Sequence, residues 1–378
     1  MLYLDHAATT MTRPEVTEAM APYLGEAFGN PSGLHGVSQR AKNALEGARE
    51  RAAELVGARR PLEIVFTGGG TEADNLAVSG AALAGAGRAG VVTTAIEHEA
   101  VLETAAFLER LGCRVVRVGV DRSGRVSPDE VAAAVDESTA VVSVMAANNE
   151  TGAIQPIRAV VEAVRAVSPN AVVHTDAVQA FISTDITVDA TGCDLIALAS
   201  HKLGGPKGVG LLYVRNGVEL EPVIHGGGQE LGRRSGTHNV AGIVGMVKAM
   251  EMSVADRESF RSRVGEARDR FEAALASALG DITVNARPGE RLVQHSHVRI
   301  PGVRAETLLI RLDQAGVAAA AGSACQSGAV ETSHVLAAMG LGEKEASECV
   351  RFSFGWVNDV ADGESAAARV VEVVGSLR

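Results

Sequence analysis

Between residues 63 and 214, short β-branched segments alternate with amphipathic ones, and this alternation restricts the fold more than any other feature. The predicted strands, in chain order, are EIVFT, GVVTTA, CRVVRVGV, TAVVSVM, NAVVHTD, CDLIALA and VGLLYV. The segments between them, such as IRAVVEAVRAV, repeat apolar residues at i, i+3 and i+4, as amphipathic helices do. This alternation predicts an α/β fold with a mostly parallel, doubly wound sheet and helices on both faces.

The pattern changes after this region. Residues 239–279 have a long helical pattern, which is followed by short strand patterns such as HSHVRI and by a final helix pattern, ESAAARVVEVVGSL. A chain of 378 residues is long enough for one large domain and a smaller one. We therefore predict a large domain over residues 13–255 and a small α+β domain formed by residues 1–12 and 256–378.

Charge and composition exclude two classes of partner. The formal net charge is −11 and aromatic residues make up only 3% of the chain, so a nucleic-acid-binding surface is not expected. No apolar run approaches the roughly 18 to 20 residues of a membrane span, and the opening MLYLDHAATT lacks the pattern of a signal peptide. We expect a cytoplasmic protein that binds neither nucleic acid nor membranes.

Polar side chains follow several of the predicted strands. In open α/β sheets, ligands bind beyond the carboxyl ends of the strands. The polar positions at these ends are 67–71, 97–98, 148–150, 176 and 200–202. Because the carboxyl ends of parallel strands lie at one edge of a sheet, we expect these five loops to meet there.

Two of these positions suggest chemistry. Lys202 follows an apolar strand, where partial burial lowers the pKa of a lysine and leaves an amine that can form a Schiff base with a carbonyl cofactor. A surface lysine in the turn LGGPKG would fit the same pattern. Asp176 ends another strand, where its carboxylate could keep a pyridine nitrogen protonated or could simply cap the next turn.

The segment TGGGTE at residues 67–72 leads into a predicted helix, so its backbone N–H groups could hold one phosphate or could only form a turn. Its spacing matches neither the Walker motif nor the dinucleotide-binding fingerprint. His98 could stack on a ring and act as an acid or base, or could be structural. Asn149 and Gln179 could bind a ring oxygen or shape turns.

The four cysteines form no CxxC pair, so neither a zinc site nor a disulfide framework is predicted; they are Cys113, Cys193, Cys325 and Cys349. Cys325 lies in the run AAAGSACQSG, whose small residues predict an accessible loop with a reactive sulfur. Arg351 follows it by 26 positions, on a predicted strand. Its guanidinium could bind an amino-acid carboxylate or form an ordinary salt bridge.

Nine segments of the chain, taken together and in order, carry a family resemblance; they are LDHAATT, FGNPSGLH, FTGGGTEADN, EHEAV, NNETG, HTDAVQ, SHKLGGPKGVG, HGGGQELGRRSGTHN and GSACQSG. The chain resembles the NifS/IscS-like cysteine desulfurases of the class V aminotransferase group. The resemblance implies a homodimeric enzyme of the pyridoxal-phosphate transferase fold type I. It also implies that L-cysteine is converted to L-alanine and that the sulfur passes, as a persulfide, to an acceptor protein of iron–sulfur cluster assembly or thiolation.

The resemblance assigns cofactor roles to residues of this chain. Lys202 would be the Schiff-base lysine and would remove the Cα proton of the substrate. Asp176 would pair with the pyridinium nitrogen, Gln179 would contact the ring hydroxyl, and His98 would stack on the ring. The residues expected around the phosphate are Gly70, Thr71, Ser200, His201 and, from the neighbouring subunit, Thr237.

It also assigns substrate roles. Asn30 and Arg351 would hold the substrate carboxylate, Asn149 would contact cofactor or substrate, and Cys325 would be the nucleophile that receives the sulfur. The spacing between Cys325 and Arg351 resembles the members with a long cysteine loop. The chain departs from many members at Ala199, where they have serine, and at Trp356, where they have arginine.

Three alternatives remain open. A selenocysteine lyase or another class V aminotransferase or lyase would share Lys202 and Asp176, but transamination would not need Cys325. A catalytically silent regulatory homologue would not bind the cofactor. The sequence leaves the acceptor of the sulfur open, and a scaffold-binding C-terminal extension found in some members is expected to be reduced here.

Overall fold

The computed structural model describes residues 1–85, 87, 89–322 and 332–378. In chain order, the strands are β1 Leu2–Tyr3, β2 Ile64–Thr67, β3 Gly90–Thr94, β4 Val115–Val118, β5 Thr139–Ser143, β6 Val172–Asp176, β7 Leu195–Ala199, β8 Gly210–Val214, β9 Thr283–Val284, β10 His295–Arg299, β11 Val317–Ala318 and β12 Cys349–Ser353. The α-helices are α1 Pro14–Leu24, α2 Gly36–Val56, α3 Gly70–Ala84, α4 Glu99–Arg110, α5 Pro128–Ala134, α6 Ile157–Val167, α7 Val188–Thr191, α8 Val240–Ala255, α9 Arg257–Leu279, α10 Ala305–Gln314, α11 His334–Ala338, α12 Glu343–Ala346 and α13 Val360–Leu377. Short 3₁₀ helices occupy Pro61–Glu63, Ser200–Lys202 and Glu230–Gly232.

The central sheet has seven strands in the order β2-β8-β7-β6-β5-β3-β4. These are the seven strands that the alternation predicts, so the predicted α/β fold with a mostly parallel sheet is confirmed. Within the described chain, β8 runs in the direction opposite to that of the other six strands of this sheet. The parallel strands therefore direct their carboxyl ends to one edge.

Helices cover both faces of this sheet. Alternate strand residues point to opposite faces, and neighbouring valines accordingly join different apolar layers. Val91 and Val141 pack with α3 and α4, whereas Val92 and Val142 belong to the layer that includes α6 and α8. Burial on both faces is the reason why these strands are continuous apolar runs.

The C-terminal part contains the antiparallel sheet β12-β10-β9 with α9 and α13 packed together beside it. Phe271 of α9 packs on β12, with its ring centroid 4.8 Å from that of Phe352. The two helices approach closely at Gly363, where a Cβ atom would lie 2.3 Å from the carbonyl oxygen of Ala267. Glycine at this position therefore allows the close helix contact.

The long helical pattern at residues 239–279 is divided into α8 and α9 at Asp256, whose carboxylate pairs with Arg13 at 2.9 Å. At the other end of the chain, β1 pairs with β11 and Asp5 bridges Ser353. The division into residues 13–255 and residues 1–12 plus 256–378 stays a prediction. Among the helices of the described residues, none is both long and apolar enough to cross a membrane.

Candidate active site

The carboxyl edge of the central sheet brings together most of the predicted site residues. Asp176 is the last residue of β6, and its backbone is in register with Ala197 of the neighbouring strand β7. Lys202 ends the 3₁₀ helix that follows β7. Helix α3 begins at Gly70, a short turn after β2. The parallel topology thus explains why loops distant in sequence meet here.

The amine of Lys202 is held by the N-terminal segment of the chain. Nζ donates hydrogen bonds to the carbonyl oxygen of Ala7 and, at 2.7 Å, to that of Ala8. The Gln179 side chain donates to the same Ala7 oxygen at 3.0 Å. Burial, assisted by the positive charge of Arg351, lowers the pKa of Lys202 to about 8. A larger share of this amine is therefore neutral near pH 7 than for an ordinary lysine.

Asp176 is buried at the floor of this region. Burial raises the pKa of its carboxyl group, while the nearby charges of His98 and Lys202 oppose that shift. Its Oδ1 accepts a hydrogen bond from the Val178 N–H at 2.9 Å, so Asp176 also caps the turn that follows β6. A buried carboxylate of this kind is stabilised by a cation, which a protonated ring nitrogen would provide.

His98 begins α4, and its Nδ1 accepts a hydrogen bond from the Ala100 N–H at 3.0 Å. The preceding Glu97 is fully buried, and its Oε1 accepts hydrogen bonds from the Thr94 hydroxyl at 2.6 Å and the Met145 N–H at 3.0 Å. Burial raises the pKa of Glu97 to about 8. The protonated Glu97 therefore ties the segment before His98 to the loop after β5.

Replacing Glu97 by glutamine is expected to raise the free energy of unfolding relative to wild type, by an amount that grows from about pH 5 to pH 8. The pKa of Glu97 in the folded chain lies above its ordinary value of 4.5, so folding retains a proton that the unfolded chain has lost. This group therefore lowers the free energy of unfolding by about 1.4 kcal/mol per pH unit in that window. Urea unfolding of both proteins at the two pH values measures the effect, and a difference independent of pH would contradict it.

The N-terminus of α3 opens onto a cleft that could hold a phosphate group. Gly69 precedes it without a capping side chain, so the first N–H groups of the helix are available to an anion. They face a cleft of about 610 Å³, whose lining includes Gly70, Thr71 and His201. The hydroxyl oxygen of Ser200 is buried and has no hydrogen-bond partner among the described residues. The helix N–H groups with Thr71 and His201 fit the phosphate of pyridoxal phosphate, whereas the Ser200 hydroxyl lies against Gly205 and does not line this cleft.

His201 contributes to the same cleft as a neutral side chain. Burial, together with the positive charges of Lys202 and Lys207, lowers its pKa to about 4. Its Nδ1 lies 3.1 Å from the Thr9 hydroxyl oxygen. Ala199 is buried at the end of β7, at the position where the resemblance predicts serine in many members. It directly precedes Ser200, whose hydroxyl has no hydrogen-bond partner among the described residues.

Arg351 lies on β12, beside the segment that holds the lysine. Its side chain is buried, with Nη2 2.8 Å from Asp5 Oδ1 and Nη1 donating to the Asn149 carbonyl oxygen at 2.9 Å. Ala7 is fixed to the same strand because its N–H donates to the Ser353 hydroxyl at 2.8 Å. The guanidinium therefore forms the ordinary salt bridge that the sequence left open, and its binding of an amino-acid carboxylate stays a prediction.

Three predicted residues do not join this cluster. Asn30 is exposed, and its side chain accepts a hydrogen bond from the Ser32 N–H at 3.0 Å. Thr237 is exposed, and within the described part of the chain no contact links it or Asn30 to Lys202. Thr237 therefore lies apart from Lys202 within one chain, and its role at a neighbouring subunit stays a prediction. Cys325 belongs to residues 323–331, which lie outside the described residues.

The loop that carries Thr237 is fixed by a buried ion pair. Glu230 accepts two hydrogen bonds from the Arg49 guanidinium, at 2.7 and 2.8 Å. The same carboxylate lies 2.7 Å from His238 Nε2 and accepts a hydrogen bond from the Phe66 N–H at 3.2 Å. These contacts hold both ends of the short segment containing Thr237 against β2 and α2.

Sequence reasoning missed the residues that hold the predicted ones in place. The carbonyl groups of Ala7 and Ala8 carry no residue-type signal, although they belong to the recognised motif LDHAATT. Asp5, the partner of Arg351, lies in the same motif and could have been singled out as its one acidic residue. Glu150 is fully buried, and the sequence marked it only as part of NNETG.

Comparisons with known proteins show which family the chain belongs to. The family model for class-V aminotransferases matches residues 2–364. The cysteine desulfurase IscS of Dictyoglomus turgidum is 42% identical over 355 residues, covering 94% of this chain and 89% of that protein. The solved structure of a NifS-like protein superposes with a TM-score of 0.92 at 35% identity and covers 99% of both chains.

A second solved structure, SspA in complex with cysteine, superposes with a TM-score of 0.82 at 35% identity. The match covers 94% of this chain and 99% of that one. Both the sequence relatives and the structures therefore match along nearly the whole chain. The chain belongs to the class-V aminotransferase family and, within it, to the pyridoxal-phosphate-dependent cysteine desulfurases of the NifS/IscS type.

Proposed function

We propose that this cysteine desulfurase uses Lys202 as its cofactor-binding lysine and base, Arg351 as its carboxylate-binding residue and Cys325 as its sulfur nucleophile. The observation that carries the proposal is the grouping of a lysine of lowered pKa, a buried carboxylate and a buried guanidinium at one edge of the sheet. Such grouping of perturbed titratable groups is typical of catalytic sites.

Pyridoxal phosphate, when bound, supplies an electron-accepting ring that makes the Cα proton of an attached amino acid acidic. Asp176 would hold the proton on the ring nitrogen, with Gln179 at the ring hydroxyl and His98 over the ring. The phosphate would be held by the start of α3 together with Ser200, His201 and, in the homodimer that we propose, Thr237 of the neighbouring subunit. Lys202, released from the cofactor by the substrate, would take the Cα proton at Nζ.

Arg351 would orient the substrate through its carboxylate. Two parallel N–H···O bonds from a guanidinium fix both the position and the angle of a carboxylate. Substrate would replace the present contact with Asp5 or share the fork with it. The neighbouring Asn149 would contact the cofactor or the substrate, and Asn30 would assist at the carboxylate.

Sulfur transfer would then be a displacement at the substrate sulfur. The Cys325 thiolate attacks this sulfur, the S–S bond forms as the Cβ–S bond of the substrate breaks, and the carbon part is protonated to L-alanine. L-cysteine and the Cys325 thiol thus give L-alanine and a Cys325 persulfide, with no external oxidant. An acceptor protein in the cytoplasm would take the outer sulfur.

The test is the formation of alanine and sulfide from L-cysteine by Cys325→Ser. We expect both products to fall to the level seen without protein while the visible absorbance of the bound cofactor is retained, because only the nucleophile is removed. Cys113→Ser is the matched control, since Cys113 is a half-buried cysteine outside the site, and it should retain full activity. Undiminished sulfide release by Cys325→Ser would rule out this nucleophile.

The same assay separates the alternative functions. Turnover of L-selenocysteine but not of L-cysteine would identify a selenocysteine lyase. Failure of the protein to take up pyridoxal phosphate would identify a silent homologue. The similar SspA structure is a complex with cysteine, and this favours cysteine as the substrate here.

A further inference from the structure

Glu150 lies on a tightly fixed turn after β5. The Asn148 side-chain oxygen accepts hydrogen bonds from the Glu150 and Thr151 N–H groups, both at 2.9 Å. The Asn148 amide in turn donates to the Ile96 carbonyl oxygen at 3.0 Å. The Glu150 side chain, which is fully buried, is therefore supported on a rigid base beside the segment that leads to His98.

One oxygen of the Glu150 carboxyl group meets both ends of the stretch that contains Cys325. On the C-terminal side, the Ser333 hydroxyl donates a hydrogen bond to Oε2 at 2.7 Å. On the N-terminal side, the backbone of Gly322 packs on the same oxygen, since a Cβ atom there would lie 2.7 Å from Oε2. Gly322 also has φ +99°, a conformation that favours glycine.

Gly322 matters because it is the last described residue before Cys325, which follows it by three positions in the sequence. The residue two positions before Gly322, Ala320, forms a reciprocal backbone pair with Arg351, at 3.1 and 2.6 Å. The fixed end therefore begins at the residue proposed to bind the substrate carboxylate.

We propose that Glu150 is a positioning residue for sulfur transfer, which fixes Gly322 and Ser333 and thereby sets where the Cys325 thiol can meet the substrate. The inference rests on the proposed role of Cys325 as nucleophile. Glu150 touches neither substrate nor reacting sulfur in this role. Its effect is on the alignment of the nucleophile, to which reaction rates are very sensitive.

The decisive variant is Ser333→Ala, which leaves Glu150 and its neighbour Asn149 unchanged. We expect kcat for alanine formation to fall about 10²-fold, the loss that a misplacement of about 1 Å can produce. The KM for L-cysteine and the concentration of L-cysteine that half-saturates the cofactor's spectral change should stay within about twofold of wild type, since neither reports on thiol placement. Ser333→Thr keeps the hydroxyl and should restore turnover.

Ser127→Ala is the matched control. Both serines cap the start of a helix, Ser333 by accepting from the Leu336 N–H at 3.3 Å and Ser127 from the Glu130 N–H at 3.4 Å. Of these two serines, only Ser333 also donates to Glu150. Ser127→Ala therefore measures the loss of a helix cap alone, and its kcat should equal that of wild type. Glu150→Gln retains a carbonyl oxygen for the Ser333 hydroxyl and is expected to retain most activity.

Glu150→Ala removes the contact with Gly322 as well as that with Ser333, so it should lose at least as much turnover as Ser333→Ala, and the double variant should lose no more than Glu150→Ala. If Glu150→Ala does not fold, the Ser333 and Ser127 variants decide the question. Wild-type kcat in Ser333→Ala, or equal changes in kcat and KM, would overturn the positioning role. Alanine formation by Cys325→Ser would instead overturn the proposed function, so the two failures are distinguishable.

Discussion

Replacing Lys202 by alanine is expected to lower kcat for alanine formation by about 10⁴-fold. A positioned acid or base contributes up to about 10⁴-fold to the rate. The full factor is expected here because the same amine would also bind the cofactor covalently. Its lowered pKa makes a neutral, nucleophilic form accessible near pH 7. Steady-state assays of alanine, with cofactor added in excess, measure the loss.

The control for this prediction is Lys248→Ala, which removes a lysine whose side chain is 41% exposed and paired at 3.8 Å with Glu251. This variant should keep wild-type kcat and the visible absorbance of the bound cofactor. Lys202→Ala should lose the part of that absorbance that depends on covalent attachment. If Lys202→Ala retained both the activity and the absorbance, another amine would be the one that binds the cofactor.

Replacing Glu230 by alanine is expected to lower the free energy of unfolding by about 3–5 kcal/mol, the usual cost of breaking a buried ion pair from one side. The Arg49 side chain is only 7% exposed, so its charge would be left in the interior without this partner. The segment around Thr237 would lose its anchor as well. Urea unfolding at fixed protein concentration measures the change.

Glu46→Ala provides the comparison, because Glu46 contacts the same guanidinium at 3.4 Å but its side chain is 46% exposed. An exposed pair of this kind contributes about 1 kcal/mol or less. Equal losses from the two variants would mean that burial of Glu230 does not determine its contribution. The comparison therefore separates the interior pair from a surface pair on one shared arginine.

The central sheet was predictable because its strands are buried on both faces and stand out as apolar runs between polar segments. The direction of β8 was also within reach of the sequence. The connection from β7 to β8 covers only residues 200–209, which is too short for the helical crossover that a parallel neighbour requires. The break at Asp256 falls on four consecutive polar residues, DRES at 256–259, which interrupt the apolar repeat, and the predicted domain boundary after residue 255 lies at the same point.

The site was predictable where a residue type has few other uses at a strand end, as for Lys202 and Asp176. The structural interpretations of three residues are confirmed, since Asp176 caps a turn, His98 caps a helix and Arg351 forms a salt bridge. Their roles toward cofactor and substrate stay predictions. Sequence patterns could not predict the contacts made by backbone carbonyl groups or the pairing of side chains that lie far apart in the chain.

The pairing of Asp5 with Arg351 and of Ala7 with Ser353 joins segments that lie 346 residues apart in the chain. Domains generally begin to fold from the N-terminal side during synthesis, but these two pairs must wait for β12. Until that strand is translated, the segment whose carbonyl groups receive the Lys202 amine lacks these two contacts and is held only by residues such as Gln179 and His201. A nascent chain would therefore complete its site for vitamin B6 only after β12 has been made.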